Sequence, residues 1–315
     1  MSIPQQFGLF DPPPSPFRAR LAGALARLSH RGIYIGTSSW KYPGWMGQIY
    51  SPDRYSTRGR FSKSRFEQTC LAEYAETFPI VCGDFSFYQF PSPDFWAKLF
   101  RGAPPTLRFA FKVPEEITVQ RFPLHARYGA RAGVENAAFL DVEMFVRMFL
   151  EPLQPYRDRV AVLIFEFGER GERFNRPLED FLRQLPEGWR YSVEIRNREF
   201  LDEEYFGSLR RHGVAHVFSA WTRMPELGEQ IAMEGAHTAG FTVTRALLRA
   251  GRPYEMAVKK FQPYSEVREE NPGTREALRQ IIQSAGDRKQ NAFLFVNNRL
   301  EGNAPGTITA VLEQD

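Results

Sequence analysis

The sequence predicts an α/β fold: a single (β/α)8 TIM barrel preceded by a Pro-rich N-terminal arm. Eight short β-like runs alternate with amphipathic helical segments along the 315 residues. No Gly/Ser-rich linker separates them, and a composition of 43% hydrophobic and 25% charged residues is that of an ordinary globular protein. We therefore expect a partly flexible arm over residues 1–30 and one barrel domain over residues 31–315.

The eight β-like runs are short and are rich in β-branched and aromatic residues. In chain order they are residues 33–40, 80–87, 108–113, 160–167, 191–197, 214–221, 241–248 and 291–298. The amphipathic segments between them have apolar residues at helical spacing and are residues 67–77, 94–101, 136–150, 177–184, 202–212 and 272–285. A doubly wound sheet is the alternative, but the GTSSWKYPGW segment after the first strand lacks the expected GxGxxG.

The fifth run, YSVEIRN, places Glu194 and Arg196 on one face of a core strand. Charged side chains are rarely buried without a partner or a role. Polar residues lie equally late in the other strands, and the C-terminal strand ends of a barrel form the mouth that holds the active site. We therefore expect an inward-facing polar ring at the mouth.

This ring has two interpretations. In an active site, its carboxylates would perform acid–base chemistry, and these are Glu194, Glu166 and Asp84. Its cationic and amide side chains would then bind and orient an anionic substrate, and these are Lys112, Arg196, Arg245, Asn297 and Asn298. In a structural network, the three acids and three bases would only neutralise one another.

Histidine and cysteine usage limits the metal chemistry. None of the five histidines ends a predicted strand, and only His125, in the long loop after the third strand, is well placed for the mouth. A polynuclear zinc centre is therefore not expected, whereas one Mg²⁺ or Mn²⁺ on the predicted carboxylates stays open. Cys70 and Cys82 form no CxxC or Cys/His cluster, which suits a reducing cytoplasm.

No signal-peptide pattern or apolar run of about 20 residues is present, so we expect no membrane contact.

Two loops that should border the mouth are basic. Residues 54–66, RYSTRGRFSKSRF, contain five bases and no acid, with Arg58 and Arg60 interleaved among aromatic residues. Residues 120–133 add Arg121, Arg127 and Arg131. Bases mixed with aromatic residues suit a nucleic-acid backbone with stackable bases or a phosphorylated metabolite. The alternative is two solvated loops whose charges bind nothing in particular.

An aromatic group near the mouth could serve as a stacking surface for a base or a sugar. Its members are Trp40, Tyr42, Trp45 and Tyr88. Packing of the first loop over the barrel is the other interpretation.

The N-terminal arm contains the segment QFGLF. Gln6, Leu9 and Phe10 match the short peptide, a Gln followed by a Leu-Phe pair, that binds the bacterial sliding clamp. This segment precedes DPPPSP, the type of tail in which docking motifs occur. The alternative is a tail whose phenylalanines pack onto the barrel.

Five blocks of the chain resemble one known family. They are IGTSSWKYPGW (35–45), FSFYQFPSP (85–93), FAFKVPEEIT (109–118), YSVEIRNREF (191–200) and FVNNRLEGNAP (295–305). In this order, over residues 33–312, they resemble the domain of unknown function 72 family. The resemblance implies a TIM barrel and no established reaction. The chain has Cys82 and Asp84 where the family usually has Glu and Asn, and only Arg245 matches its RxHG motif.

Together these features predict an enzyme whose basic, aromatic-rimmed mouth acts on a phosphorylated or nucleic-acid substrate, by phosphodiester hydrolysis. One alternative is a non-catalytic adaptor that binds nucleic acid or the sliding clamp. A further alternative is a barrel that converts a sugar or sugar phosphate.

Overall fold

Eight parallel strands close into a barrel in the computed structural model, which describes residues 15–168 and 174–313. The strands follow one another around the barrel in chain order, and the last pairs with the first. They are β1 Ile33–Thr37, β2 Ile80–Gly83, β3 Arg108–Lys112, β4 Val160–Phe167, β5 Tyr191–Ile195, β6 Ala215–Ala220, β7 Phe241–Ala246 and β8 Asn291–Val296. The predicted TIM-barrel class and all eight predicted strands are confirmed.

Helices surround the barrel. They are α1 Pro16–His30, α2 Lys63–Ala75, α3 Pro93–Arg101, α4 Glu115–Thr118, α5 Val142–Phe145, α6 Glu151–Leu153, α7 Asn175–Arg183, α8 Glu203–Arg211, α9 Leu227–Ala232, α10 Tyr254–Phe261, α11 Pro272–Arg288, α12 Asn298–Glu301 and α13 Ala304–Leu312. A π-helical turn, Val146–Leu150, joins α5 to α6. The helix predicted over 136–150 begins later because Asp141 caps it, accepting a 2.8 Å hydrogen bond from the Met144 N–H.

Helix α1 occupies half of the predicted N-terminal arm and packs against β1. Its Leu21 and Leu25 are buried in the main core, and Arg18 donates a 2.9 Å hydrogen bond to Glu73 of α2. Ser15 caps the helix by accepting from the Arg18 N–H. The predicted clamp-binding residues lie outside the described part of the chain.

The core has two layers that follow the alternation of the strands. One layer fills the barrel and includes Ile80, Cys82, Ala110, Val162, Ile164, Val217, Val243, Phe293 and Phe295. The other lies between strands and helices and includes Phe109, Phe111, Phe165, Val193 and Ile195. Strands β1 and β2 meet closely at Gly36, where a Cβ atom would lie 1.9 Å from the Ile80 carbonyl oxygen.

Both cysteines, Cys70 and Cys82, are buried free thiols. Within residues 15–168 and 174–313, no helix is long and apolar enough to cross a membrane.

Candidate functional site

The last inward-facing positions of four strands are charged. Lys112 ends β3, Glu166 and Glu194 lie late in β4 and β5, and Arg245 lies late in β7. The strand register pairs Glu166 with Glu194 and Ser219 of β6 with Arg245. The fold therefore brings these charges together above the apolar interior, as the strand pattern predicts.

Glu194 is the centre of the ring and is fully buried. Its Oε1 accepts a 2.5 Å hydrogen bond from the Ser219 hydroxyl and lies 2.7 Å from Arg196 Nη2. Its Oε2 accepts from Arg245 Nη1. Glu194 therefore holds two guanidinium groups in place and is itself closed off from the barrel mouth.

Glu166, which the strand register pairs with Glu194, contacts three cations. Its Oε2 is 3.0 Å from Lys112 Nζ and 3.0 Å from Arg196 Nη2, and Arg245 Nη1 donates to it at 2.6 Å. Burial favours the neutral carboxyl, but the positive charges of Lys112, Arg196 and Arg245 outweigh burial and hold the pKa of Glu166 well below its usual range. Glu166 is therefore an ionised, weakly basic carboxylate while these contacts persist.

Asp84 completes the ring at its outer edge. Arg245 Nη2 donates a 3.0 Å hydrogen bond to Asp84 Oδ1, and the Asp84 side chain is 37% exposed. Burial lowers the pKa of Arg245, but Glu194, Asp84 and neighbouring groups reverse this and raise it well above its usual value. Three carboxylates and three cations thus neutralise one another in the ring.

The predicted carboxylates do not form a metal site in this arrangement. Within the described ranges, 15–168 and 174–313, no group of three or more His, Cys, Asp or Glu side chains could hold a metal ion. Asp84, Glu166 and Glu194 each contact a guanidinium or ammonium group instead. A Mg²⁺ or Mn²⁺ ion would have to displace these cations.

A cavity of about 430 Å³ opens above the ring at the mouth. Five cationic side chains line it, Lys41, Lys112, Arg196, Arg245 and Arg299, against the two carboxylates of Asp84 and Glu166. With Glu194 beneath included, the mouth has a formal excess of two positive charges, contributed by Lys41 and Arg299. Neither has an acidic partner among the residues that the structure describes.

Four buried polar atoms of residues in the cavity wall make no hydrogen bond within the described structure. They are the Ser38 hydroxyl oxygen, the Trp40 indole nitrogen and the Nε atoms of Arg245 and Arg299. Buried polar groups without a partner cost about 1–3 kcal/mol, so a ligand that accepts from them would be favoured.

The aromatic side chains and amides predicted at the mouth divide into two groups. Trp40, Tyr42, Tyr88 and Asn297 line the cavity. Trp45 is instead fully buried, and its indole donates a 3.2 Å hydrogen bond to Asn298 Oδ1, which also accepts from the Ala304 N–H at 2.7 Å. Trp45 and Asn298 therefore fasten the loop after β1 to the loop after β8 and do not line the cavity.

The first basic loop lies apart from the cavity. Arg58 and Arg60 belong to a short hairpin, Ser56–Thr57 paired with Arg60–Phe61, and both are exposed. Arg58 and Gly59 turn the chain with positive φ angles of 51° and 74°. Neither arginine lines the mouth cavity or has an ion pair within the described residues.

The second basic loop is electrically neutralised. Arg121, Arg127 and Arg131 form ion pairs with Glu135, Glu115 and Glu116, at 2.5, 2.6 and 2.9 Å. His125 is exposed, and its Nδ1 accepts a 3.1 Å hydrogen bond from the Arg127 N–H. This side chain therefore caps the helical turn that follows it and does not line the mouth cavity. The three arginines of this loop are therefore paired with glutamates, whereas the sequence pattern suggested cations available to bind a ligand.

The comparison with known proteins assigns the family. A family model described as "Protein of unknown function DUF72" matches residues 34–314. The chain belongs to the DUF72 family. The predicted resemblance is thus confirmed, and the family's description names no reaction.

Relatives of the chain agree with this assignment. The chain is 27% identical over 169 residues to the UPF0759 protein YecE of Escherichia coli K12, and equally to that of Escherichia coli O157:H7. The match covers 53% of this chain and 50% of the relative, so the chain spans about half the length of the curated relatives it matches.

Two solved structures of DUF72 family proteins share the fold. One, from Thermotoga maritima MSB8, has a TM-score of 0.60 and 20% identity over 89% of this chain and 97% of that one. Another, from Enterococcus faecalis V583, has a TM-score of 0.58 and 17% identity over 90% and 96%. At these identities the likeness establishes the barrel, and the chemistry must be argued from the site.

Sequence reasoning missed several residues of the DUF72 mouth. Lys41 and Arg299 lie within the family-like blocks, but outside the strands, so strand alternation could not place them. Trp221 lies against the Arg196 guanidinium, whose Cζ is 4.0 Å from the ring centroid, and Lys112 Nζ is 3.6 Å from the Phe87 ring centroid. Such cation–π contacts help to hold the Arg196 and Lys112 side chains, which line the cavity.

Proposed function

We propose that the barrel mouth binds a phosphorylated substrate and that the protein hydrolyses a phosphate ester there. The supporting observation is the excess of two positive charges, on Lys41 and Arg299, above a ring that is itself neutral. A concave, partly desolvated cavity with one sign of excess charge attracts ligands of the opposite sign. The ring alone would support a structural role equally well.

The donors around the cavity match the needs of a phosphoryl group. Lys41, Arg299, the Ser38 hydroxyl and the Trp40 indole can all donate, and phosphoryl oxygens accept. The Arg299 guanidinium is held with its Cζ 4.5 Å from the Tyr254 ring centroid, and its Nε is buried without a partner. A volume of about 430 Å³ lies within the range of small-molecule sites and suits a phosphate with one small ring.

Glu166 is the carboxylate best placed to act on such a substrate. It lines the cavity, whereas Glu194, which the sequence also suggests for acid–base chemistry, does not line it and instead positions Arg196 and Arg245. A phosphoryl group that engages Lys112 would weaken that cation's hold on Glu166 and strengthen Glu166 as a base. Water then adds to phosphorus, its proton passes to Glu166, and the ester oxygen leaves as an alcohol after taking a proton from solvent.

Turnover of chromogenic esters tests this proposal. Bis(p-nitrophenyl) phosphate and p-nitrophenyl phosphate would be assayed with and without Mn²⁺, using the wild-type protein, Glu166→Gln and the matched surface variant Glu179→Gln. Loss of general-base catalysis should slow Glu166→Gln by about 10²–10⁴-fold, while Glu179→Gln, whose carboxylate pairs with Arg211 at 2.8 Å on the surface, should match the wild type. Equal rates in all three proteins, or no turnover by the wild type, would contradict the proposed hydrolysis.

The exposed hairpin supports a second candidate, a non-catalytic nucleic-acid adaptor. Arg58 and Arg60 present two cations beside the half-exposed ring of Phe61. The predicted clamp contact through Gln6, Leu9 and Phe10 belongs to this candidate and stays a prediction.

A fluorescent DNA panel (single-stranded, duplex and abasic) across a salt series separates the two candidates. An adaptor should bind DNA with a steep salt dependence that Arg58→Ala/Arg60→Ala reduces, and should not turn over any ester. If the protein binds phosphate probes but does not bind DNA, a small-molecule or sugar-phosphate substrate would be favoured instead.

A further inference from the structure

A second, larger cavity adjoins the mouth cavity. It has a volume of about 860 Å³ and is formed mainly by the segments after β3 and β4. Glu166, Arg196 and Trp221 line both cavities, so the two open onto one another across these three side chains. The site is therefore a cleft with two compartments.

The two compartments differ in charge. Four charged side chains are found in the described lining of the larger compartment, and they form two ion pairs. Arg121 pairs with Glu135 at 2.5 Å, and Arg196 pairs with Glu166 at 3.0 Å. These charges balance, whereas the mouth cavity has an excess of two positive charges. The described lining of the larger compartment thus favours an uncharged group.

Flat apolar surfaces form one wall of the larger compartment. Phe139, Phe167 and Phe174 pack against one another, with ring centroids 4.6 Å apart for Phe167 and Phe174 and 5.9 Å apart for Phe139 and Phe174. Phe139 is half-buried, and Trp221 stands at the junction with the mouth, held by the Arg196 guanidinium. Aromatic walls of this kind bind ring systems by stacking and edge contacts.

A buried hydroxyl in the same compartment lacks a partner. Thr118 is 2% exposed, lines the cavity, and its Oγ1 makes no hydrogen bond within the described structure. The half-buried Gln120 lines the cavity next to it. A ligand with its own donors and acceptors, and not merely a hydrocarbon, would satisfy these groups.

We infer that the substrate is bipartite: a phosphoryl group occupies the mouth cavity, and a neutral, hydrogen-bonding ring of the nucleobase class occupies the larger compartment, with Trp221 between them. This inference rests on the proposed function, because the mouth must hold the phosphoryl group. It specifies the substrate as a phosphorylated nucleoside or the end of a nucleic-acid strand. It also places the sugar and its phosphate ester bond, which lie between the phosphoryl group and the base, near Glu166, which borders both cavities.

Calorimetric titration with matched probes tests the inference. The probes are inorganic phosphate, ribose 5-phosphate, the four common nucleosides and their 5′-monophosphates. We expect at least one monophosphate to bind tenfold or more tightly than phosphate and ribose 5-phosphate. Thr118→Val, which preserves side-chain shape, and Phe139→Leu should each reduce that advantage about tenfold and leave the affinity for phosphate unchanged. Arg299→Met should instead lower the affinity for every phosphorylated probe and leave the affinity for nucleosides unchanged.

The outcomes separate the two proposals. If no monophosphate binds more tightly than ribose 5-phosphate, or if Thr118→Val weakens phosphate and monophosphate equally, the bipartite substrate is wrong even though the mouth binds phosphate. If nucleosides bind in a Thr118-dependent way but no probe gains from its phosphate, the proposed function fails and the assignment of the larger compartment stands.

Discussion

Replacing Glu194 by Gln removes one charge from the ring and preserves side-chain volume. In the wild type, Glu194 Oε1 contacts Arg196 at 2.7 Å and Ser219 at 2.5 Å, and Oε2 accepts from Arg245. The amide of Gln offers one acceptor oxygen and one donor NH₂ group. One of the two guanidinium groups would therefore face a donor. Both would still pair with Glu166, but the ring as a whole would keep one positive charge without compensation.

The expected cost follows from burial. Glu194 is fully buried, and Arg196 and Arg245 are 5% and 1% exposed. Removing one partner of a buried ion pair costs about 3–5 kcal/mol, because the remaining charge stays buried without compensation. The Asp84→Asn variant is the matched control: its side chain is 37% exposed and has one guanidinium contact, so we expect a loss of about 1 kcal/mol or less.

Equilibrium unfolding in urea, followed by tryptophan fluorescence and circular dichroism, measures both variants. The Glu194→Gln midpoint should fall well below that of Asp84→Asn, with the dependence on urea unchanged. A free energy of unfolding for Glu194→Gln within about 1 kcal/mol of the wild type would refute the argument, because the ring would then not depend on this charge.

Three further predictions concern stability and reactivity. Burial lowers the pKa of His216 to about 3, so the unfolded chain takes up a proton at a higher pH than the folded chain. The free energy of unfolding should therefore fall by up to about 1.4 kcal/mol per pH unit from pH 6.5 downward. Melting curves of His216→Phe should show a weaker dependence on pH over this range. Burial raises the pKa of both Cys70 and Cys82, so neither thiol should react with Ellman's reagent until the protein unfolds, when both should. Arg18→Ala should cost up to about 3 kcal/mol in urea unfolding, because the fully buried Glu73 loses the nearer of its two guanidinium partners and keeps Arg54 at 3.5 Å. It should also expose helix α1 to proteases.

Other results would contradict these predictions. An unchanged slope in His216→Phe between pH 6.5 and 4.5 would mean that another group governs that range. A thiol that reacts in the native state would place a cysteine nearer the surface. Protease resistance of α1 in Arg18→Ala would mean that Leu21 and Leu25 alone hold the helix.

The barrel and its inward charges could be predicted because both follow from local patterns. Strand alternation alone placed Lys112, Glu166, Glu194 and Arg245 on the inner face near the mouth. Helix α1 is not among the predicted helices because Pro-rich residues precede it, although Ser15, Pro16 and the apolar spacing of Leu21 and Leu25 indicate a capped helix.

What could not be predicted depends on contacts between distant segments. The ion pairs of Arg121, Arg127 and Arg131 form with glutamates whose positions depend on the folded loop. The positive excess comes from Lys41 and Arg299, which no periodic pattern marks. The larger compartment joins segments more than 100 residues apart, from Thr118 to Trp221, and so has no linear signature.

The most direct test of a phosphate-binding mouth is a calorimetric titration of inorganic phosphate at low and high chloride concentration. It compares the wild type with Lys41→Met/Arg299→Met and with the exposed surface control Arg147→Met. We predict that the wild type and the control bind phosphate at low salt and less tightly at high salt, and that the double variant binds at least tenfold more weakly. Absence of wild-type binding at low salt, or equal affinity in the double variant, would contradict the account and leave the charges of the mouth as a structural network.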